Sequence, residues 1–116
     1  MADTDPNCIF CKIVRREIPT PLVAESAEAV AFRDLDPKAP VHVLVIPRRH
    51  VPSLAEAQDA GILGAVLELA ADVARQEGIV EKGFRTVINT GGQAGQTVPH
   101  LHAHVLGGRH MAWPPG

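Results

Sequence analysis

The sequence predicts an α+β fold: a single domain over residues 1–116, with a mainly antiparallel five-stranded sheet and two helices. Three observations lead there. Apolar residues recur at helical spacing in only two segments, near the amino terminus and between Asp59 and Glu77. Short strand-like stretches follow one another in runs instead of alternating strictly with helices, which separates this class from parallel α/β folds. The 116 residues, 46% hydrophobic and 21% charged, are enough for one packed core and too few for two domains of ordinary size.

From the amino terminus, Ile9, Phe10, Ile13 and Val14 share one helical face, Asn7 is the expected N-cap, and Pro19 and Pro21 stop the helix. Leu22 to Glu25 and Ala29 to Phe32 read as a hairpin around Ser26 to Glu28, followed by a turn at Asp34 to Pro37. His42 to Ile46, closed by Pro47, is rich in branched residues and has the length of a central strand. Leu63, Val66, Leu67, Ala70, Val73 and Ala74 give the second helix one apolar face. Phe84 to Asn89 and His102 to Leu106 are the last two strands. Between them Thr90 to Gln96 carries three glycines and must turn sharply.

Composition excludes several functions. A formal net charge of -2 provides no basic field for a nucleic-acid partner. No apolar stretch reaches the roughly 20 residues of a membrane span. The polar, acidic segment Met1 to Asn7 lacks the features of a secretory signal, and Cys8 and Cys11 suit metal or redox chemistry in a reducing compartment, so a cytoplasmic location is expected.

The chemistry concentrates in His100-Leu101-His102-Ala103-His104. In an extended chain the period of two turns all three imidazoles to one side and Leu101, Ala103 and Val105 to the other. Such a set can be a polar strand face, a metal site, or a centre for nucleophilic and acid-base catalysis, since imidazole titrates near neutrality and attacks phosphorus. Immediately upstream, Asn89 to Thr97 has the backbone freedom to turn N–H groups toward an anion. Cys8 and Cys11, three apart on a helix, could supply two thiolates to one zinc, or could be two buried thiols.

The triad, the preceding Gly95-Gln96-Thr97 and the tail from Gly107 to Gly116 resemble the Hint branch of the histidine triad (HIT) family. Cys8 to Lys12, Glu17-Ile18-Pro19, Ala31 to Asp34, and His42 through Pro47 to His50 fit the same pattern in order, so the likeness covers nearly the whole chain. It implies a HIT-like domain that hydrolyses purine nucleoside 5'-phosphoramidates through a nucleotidyl-histidine intermediate on His102. His100 and His42 would be candidates for proton transfer, and His104 would hold the phosphate and orient His102. Asn89, Gly95, Gln96 and Thr97 would bind the phosphoryl group, with Thr97 standing where Ser is usual in that branch.

The base would lie among Ile9, Phe10, Ile13, Phe32 and Leu35, with Asp34 on the ribose. The resemblance further implies a homodimer joined sheet edge to sheet edge, with Trp113 sent toward the partner's site. A structural zinc would be held by Cys8, Cys11, His50 and His100, which removes the His100 ring from proton transfer; no organic cofactor is implied. The alternatives on the same triad are a dinucleoside polyphosphate hydrolase, a nucleotidyl transferase, or a non-catalytic nucleotide sensor.

Overall fold

A computed structural model of the chain describes residues 4–116, so the first three residues of the polar amino-terminal segment lie outside the described residues. Five strands form one sheet: β1 (Leu22–Glu25), β2 (Ala29–Arg33), β3 (Val41–Pro47), β4 (Phe84–Ile88) and β5 (Ala103–Gly107). Their spatial order is β1-β2-β3-β5-β4, with every neighbouring pair antiparallel, so β3 is central as its composition predicts. Two α-helices, α1 (Ile9–Val14) and α2 (Ala60–Gln76), complete the fold.

The sheet is buried on both faces at β2 and β3, which explains why those strands read as continuous apolar runs. On one face Ala29, Ala31, Val43, Val45, Ala103 and Val105 pack under α2. The opposite face carries Val30, Phe32, Leu44 and Ile46 against Phe10 and the two cysteines of α1. Alternation along each strand therefore sends one set of side chains to α2 and the other to α1 and the histidines.

Three expectations need correction. The cap of α1 is Cys8, not Asn7: Cys8 has extended backbone, and its sulfur accepts from the Cys11 N–H. The buried stripe of α2 is Ile62, Val66, Leu69, Ala70, Val73 and Ala74, while Leu67 is 51% exposed, so the helix is rotated from the predicted face. Both ridges are apolar and share Val66, Ala70, Val73 and Ala74, and burying Ile62, Val66, Leu69 and Val73 contributes about 1.5–3 kcal/mol each. The last strand starts at Ala103, not His102, because His100 N–H turns back to the Val98 carbonyl at 2.8 Å and Leu101 N–H bonds the Val51 carbonyl at 2.6 Å.

Candidate functional site

The bend before β5 divides the triad. His100 is fully buried and its ring joins Cys8, Cys11 and His50. His102 and His104 stay on the sheet face toward α1, with ring centroids 5.0 Å apart. Register places Leu44 and Val87 beside His104, while His42 on β3 lies opposite Leu106 and brings its ring to within 5.2 Å of His104.

Hydrogen bonds to the backbone fix which nitrogen of each ring carries a proton. His102 Nδ1 lies 2.7 Å from the His100 carbonyl, an oxygen that can only accept, so Nδ1 bears hydrogen and the neutral ring keeps its lone pair on Nε2. The Lys38 backbone N–H can only donate, and it points at His42 Nδ1 at 3.0 Å. Neutral His42 is therefore protonated at Nε2, which donates to His104 Nδ1 at 2.9 Å. His104 is left with its proton on Nε2, a buried atom with no hydrogen-bond partner among the described residues.

Burial is the first cause of the lowered pKa of both His42 and His104. It pushes His104 down to about 4, helped by the nearby His102 and His42, and also lowers His42, where Asp34 partly opposes the shift. Both rings are thus neutral at pH 7, as the tautomer argument requires. Asp34 Oδ2 sits 3.4 Å from His42 Nε2, and its Oδ1 accepts from the Asp36 N–H at 2.8 Å.

Among the described residues, two groups of side chains have metal-ligand spacing, Cys8–Cys11–His50–His100 and Asp34–His42–His104. Only the first suits a metal. His100 Nε2 donates to the Pro47 carbonyl at 3.0 Å, which leaves the Nδ1 lone pair facing the group. That Nδ1 is 3.4 Å from Cys8 Sγ, 3.6 Å from Cys11 Sγ and 3.2 Å from His50 Nδ1, and Cys11 Sγ is 3.3 Å from His50 Nδ1. A zinc tetrahedron with Zn–N of about 2.0–2.1 Å and Zn–S of about 2.3 Å has edges of about 3.3–3.8 Å, so the donor set fits the ion. Both cysteines are free, the Asp5 N–H bonds Cys11 Sγ at 3.3 Å, and burial raises the Cys11 thiol. In the second group the Lys38 N–H occupies His42 Nδ1 and forces a proton onto Nε2, the nitrogen a metal would need.

The remaining predicted residues divide. Phe10 and Phe32 are core, in edge contact at 5.6 Å, and Phe10 also meets the rings of His100 and His102 at 5.8 and 5.2 Å. Ile13 packs part-buried against that cluster, whereas Ile9 is 50% and Leu35 fully exposed. A cavity of about 600 Å³ beside Ile13, Val14, Pro19, Leu22 and Val30 includes no histidine, and Ile13 alone of the predicted base-binding residues lines it. Asn89 lies one residue past the Ile88–Ala103 pair, level with His102.

Gly91 and Gly95 take positive φ in the loop, and Thr97 is exposed. The Gln96 amide is spent on its own surroundings: it accepts from Gly91 N–H at 2.9 Å and donates to the carbonyls of Pro52 at 2.7 Å and Val98 at 3.1 Å. Trp113 is exposed beside Arg85 on β4, the guanidinium 5.8 Å from its ring centroid. Sequence reasoning did not find the Lys38 amide or the Pro47 and His100 carbonyls, because backbone partners leave no mark in side-chain identity.

Fold and site together define a small α+β protein whose chemistry-bearing side chains are histidines gathered beside one helix on an antiparallel sheet. The chain belongs to the HIT domain family, whose model matches residues 15–111. It is 47% identical to the 14 kDa zinc-binding protein of Zea mays, covering 97% of this chain and 90% of that protein. It is 48% identical to Adenylylsulfatase HINT1 of Arabidopsis thaliana, covering 97% of this chain and 79% of that one. Among solved structures, a HIT family hydrolase from Legionella pneumophila Philadelphia 1 superposes with a TM-score of 0.91 at 45% identity, over 95% of this chain and 100% of that one.

Proposed function

We propose that this protein is a nucleotide-binding hydrolase of the Hint branch that cleaves the P–N bond of purine nucleoside 5'-phosphoramidates. The observation that carries the reading is the pairing of two complementary nitrogens: the lone pair of His102 Nε2 and, on the adjoining ring, the unpartnered N–H of His104 Nε2. A nucleophile beside a donor lacking any protein acceptor suits an anionic, electrophilic group such as a phosphoryl ester or amide.

In this reading His102 Nε2 attacks the α-phosphorus and the P–N bond breaks, the amine leaving with a proton taken from solvent water, while the neutral His104 Nε2–H donates a hydrogen bond to the charge that develops on a phosphoryl oxygen. Water then attacks the phosphorus of the nucleotidyl-histidine, the P–N bond to His102 Nε2 breaks, and the nucleoside monophosphate and neutral His102 are released. Of the expected proton carriers, His42 acts through His104, while the His100 ring serves the metal group and its carbonyl orients His102. Asn89, Gly95 and Thr97 bind phosphoryl oxygens, with Gln96 holding their loop. The base lies against Ile9, Phe10, Ile13, Phe32 and Leu35, and Asp34 takes the ribose.

Cys8, Cys11, His50 and His100 hold a structural zinc, a reading supported by the tetrahedral spacing and by the zinc-binding protein among the relatives. Exposed Leu67 and Phe84, on α2 and the edge strand β4, suit a homodimer that places Trp113 near the partner's site. A cytoplasmic location follows from the reduced cysteines this site needs. The adenylylsulfatase among the relatives supports a second reading in which sulfate is the leaving group expelled as the same nucleotidyl-histidine forms.

Release of AMP from adenosine 5'-phosphoramidate, compared between the native protein and His102→Ala at matched folding, is the test. Turnover is expected from the native protein and a loss of at least about 10³-fold from the variant. AMP binding without turnover in both would sink the phosphoramidase reading in favour of a sulfate or dinucleotide substrate, or of a sensor.

A further inference from the structure

The turn between β2 and β3 carries both Asp34 and the amide that sets the His42 tautomer. Its residue 38 is gripped on both sides of its Cα: the N–H donates to His42 Nδ1 at 3.0 Å, and the carbonyl accepts from Arg109 Nε at 3.0 Å. Arg109 lies in the tail just past β5, and its other hydrogen bond, from Nη1 to the His110 carbonyl at 3.1 Å, anchors it to that tail. Beside it, Gly108 takes a φ of +90° and brings its backbone flat against the turn, so close that a Cβ would stand 2.8 Å from Pro40 Cβ. The Lys38 side chain plays no part in this contact, since its ammonium folds back onto the carbonyl and carboxylate of Asp36 at 2.7 and 2.8 Å.

We propose that Arg109 is a positioning residue for the reaction: by holding the Lys38 carbonyl it keeps the Lys38 N–H on His42 Nδ1, and so decides which nitrogen of His42 and His104 carries a proton. The consequence is amplified along the chain of rings. Without that N–H, the His42 proton can move to Nδ1, its Nε2 becomes an acceptor, and His104 must answer by donating from Nδ1. His104 Nε2 then presents a lone pair where it had presented a proton, and a lone pair repels the phosphoryl oxygens that the N–H would hold. A single exposed guanidinium thus acts, through the backbone of one residue and two imidazoles, on the group that faces the reacting atoms.

The effect on turnover rests on the hydrolase reading above, whereas the effect on tautomers does not. The experiment therefore has two readouts. Nitrogen chemical shifts of ¹⁵N-histidine-labelled protein at pH 7.5 should show His42 and His104 each protonated on Nε2 in the native chain, and a mixture of tautomers in Arg109→Gln. With adenosine 5'-phosphoramidate, Arg109→Gln should lower kcat roughly tenfold with KM within about twofold, the signature of a lost donor and not of lost binding. Arg109→Lys, which keeps an N–H for the Lys38 carbonyl, should restore most of both readouts and guards against a variant that merely folds badly. Unchanged histidine shifts in folded Arg109→Gln overturn the proposal, as does a kcat loss that Arg109→Lys does not recover. A native protein inert toward the phosphoramidate overturns the hydrolase reading instead, and the tautomer readout still decides the role of Arg109.

Discussion

The two histidine-containing clusters lie on the same sheet, yet they are prepared for different occupants. In the Cys8–Cys11–His50–His100 group the backbone partner of His100 is an acceptor, the Pro47 carbonyl, which draws the ring proton to Nε2 and leaves a lone pair inside the cluster. In the Asp34–His42–His104 group the backbone partner of His42 is a donor, the Lys38 amide, which draws the lone pair outward and leaves a proton inside. One group is set to receive a cation and the other to deliver a hydrogen bond. The same side chain takes opposite roles according to the polarity of one main-chain neighbour, and a cluster of ligand-type residues is a metal site only where the tautomers allow it.

The largest expected effect comes from breaking the first cluster. Cys11→Ser removes one of four donors, and the buried remainder would be left with unpaired polar groups. The native protein should carry about one zinc per chain by elemental analysis, and the variant markedly less, with Tm lower by about 10 °C or more. Turnover should fall as well, because the same His100 that faces the cluster offers its carbonyl to His102 Nδ1, so a displaced His100 misdirects the nucleophile. A native protein free of metal as purified from zinc-containing medium, or a variant with unchanged Tm, would leave the cluster as two buried thiols and two histidines.

Breaking the second cluster should leave stability under neutral conditions almost intact and act on chemistry. His104→Asn is expected to lower kcat by about 10²–10³-fold with zinc content unchanged. The pH dependence gives an independent check on the same ring. The folded-state pKa of His104 lies at about 4, below the usual 6.5, so between those values the unfolded chain binds the extra proton. Its stabilising contribution is therefore complete above about pH 6.5 and is lost as pH falls toward 4. Native Tm should drop on acidification through that window, and His104→Asn should flatten the slope. An identical slope in the variant would mean that the ring titrates normally and is not held neutral.

Much of the fold could be read in advance because it rests on periodicities that burial enforces. β3 is central, the hairpin of β1 and β2 forms where the turn residues indicate, and the apolar spacing of α2 gives the helix though not its exact rotation, since Leu63 and Leu67 make a second ridge as apolar as the one the sheet selects. The site was legible to the extent that side-chain identity carries it: Cys8 and Cys11 come together as their spacing suggests, joined by the His50 and His100 that the family resemblance adds. What stayed hidden is main-chain. The period of two places His100, His102 and His104 on one face, but the Leu101 N–H pairs with Val51, the chain bends, and His100 leaves for the cysteines. Gln96 likewise looks like a ligand by position, and only the carbonyls of Pro52 and Val98 show that its amide is already engaged.

The smallest effect should come from the residue that touches both His100 and His102. Phe10 is 7% exposed and sets its ring edge-on to both His100 and His102, with Phe32 on another side. Phe10→Leu keeps most of the buried apolar volume and loses the aromatic edge contacts, a cost of about 0.5–1.5 kcal/mol per pair at most. If Phe10 only fills space, Tm falls by a few degrees while zinc retention against a chelator and kcat stay put. If the wall also keeps the His100 ring aimed at the cysteines and the His102 ring aimed at the substrate, zinc loss accelerates and kcat declines together, each by a few-fold. The joint response is the expected one, because both imidazoles contact the same Phe10 ring, with centroids 5.8 and 5.2 Å away.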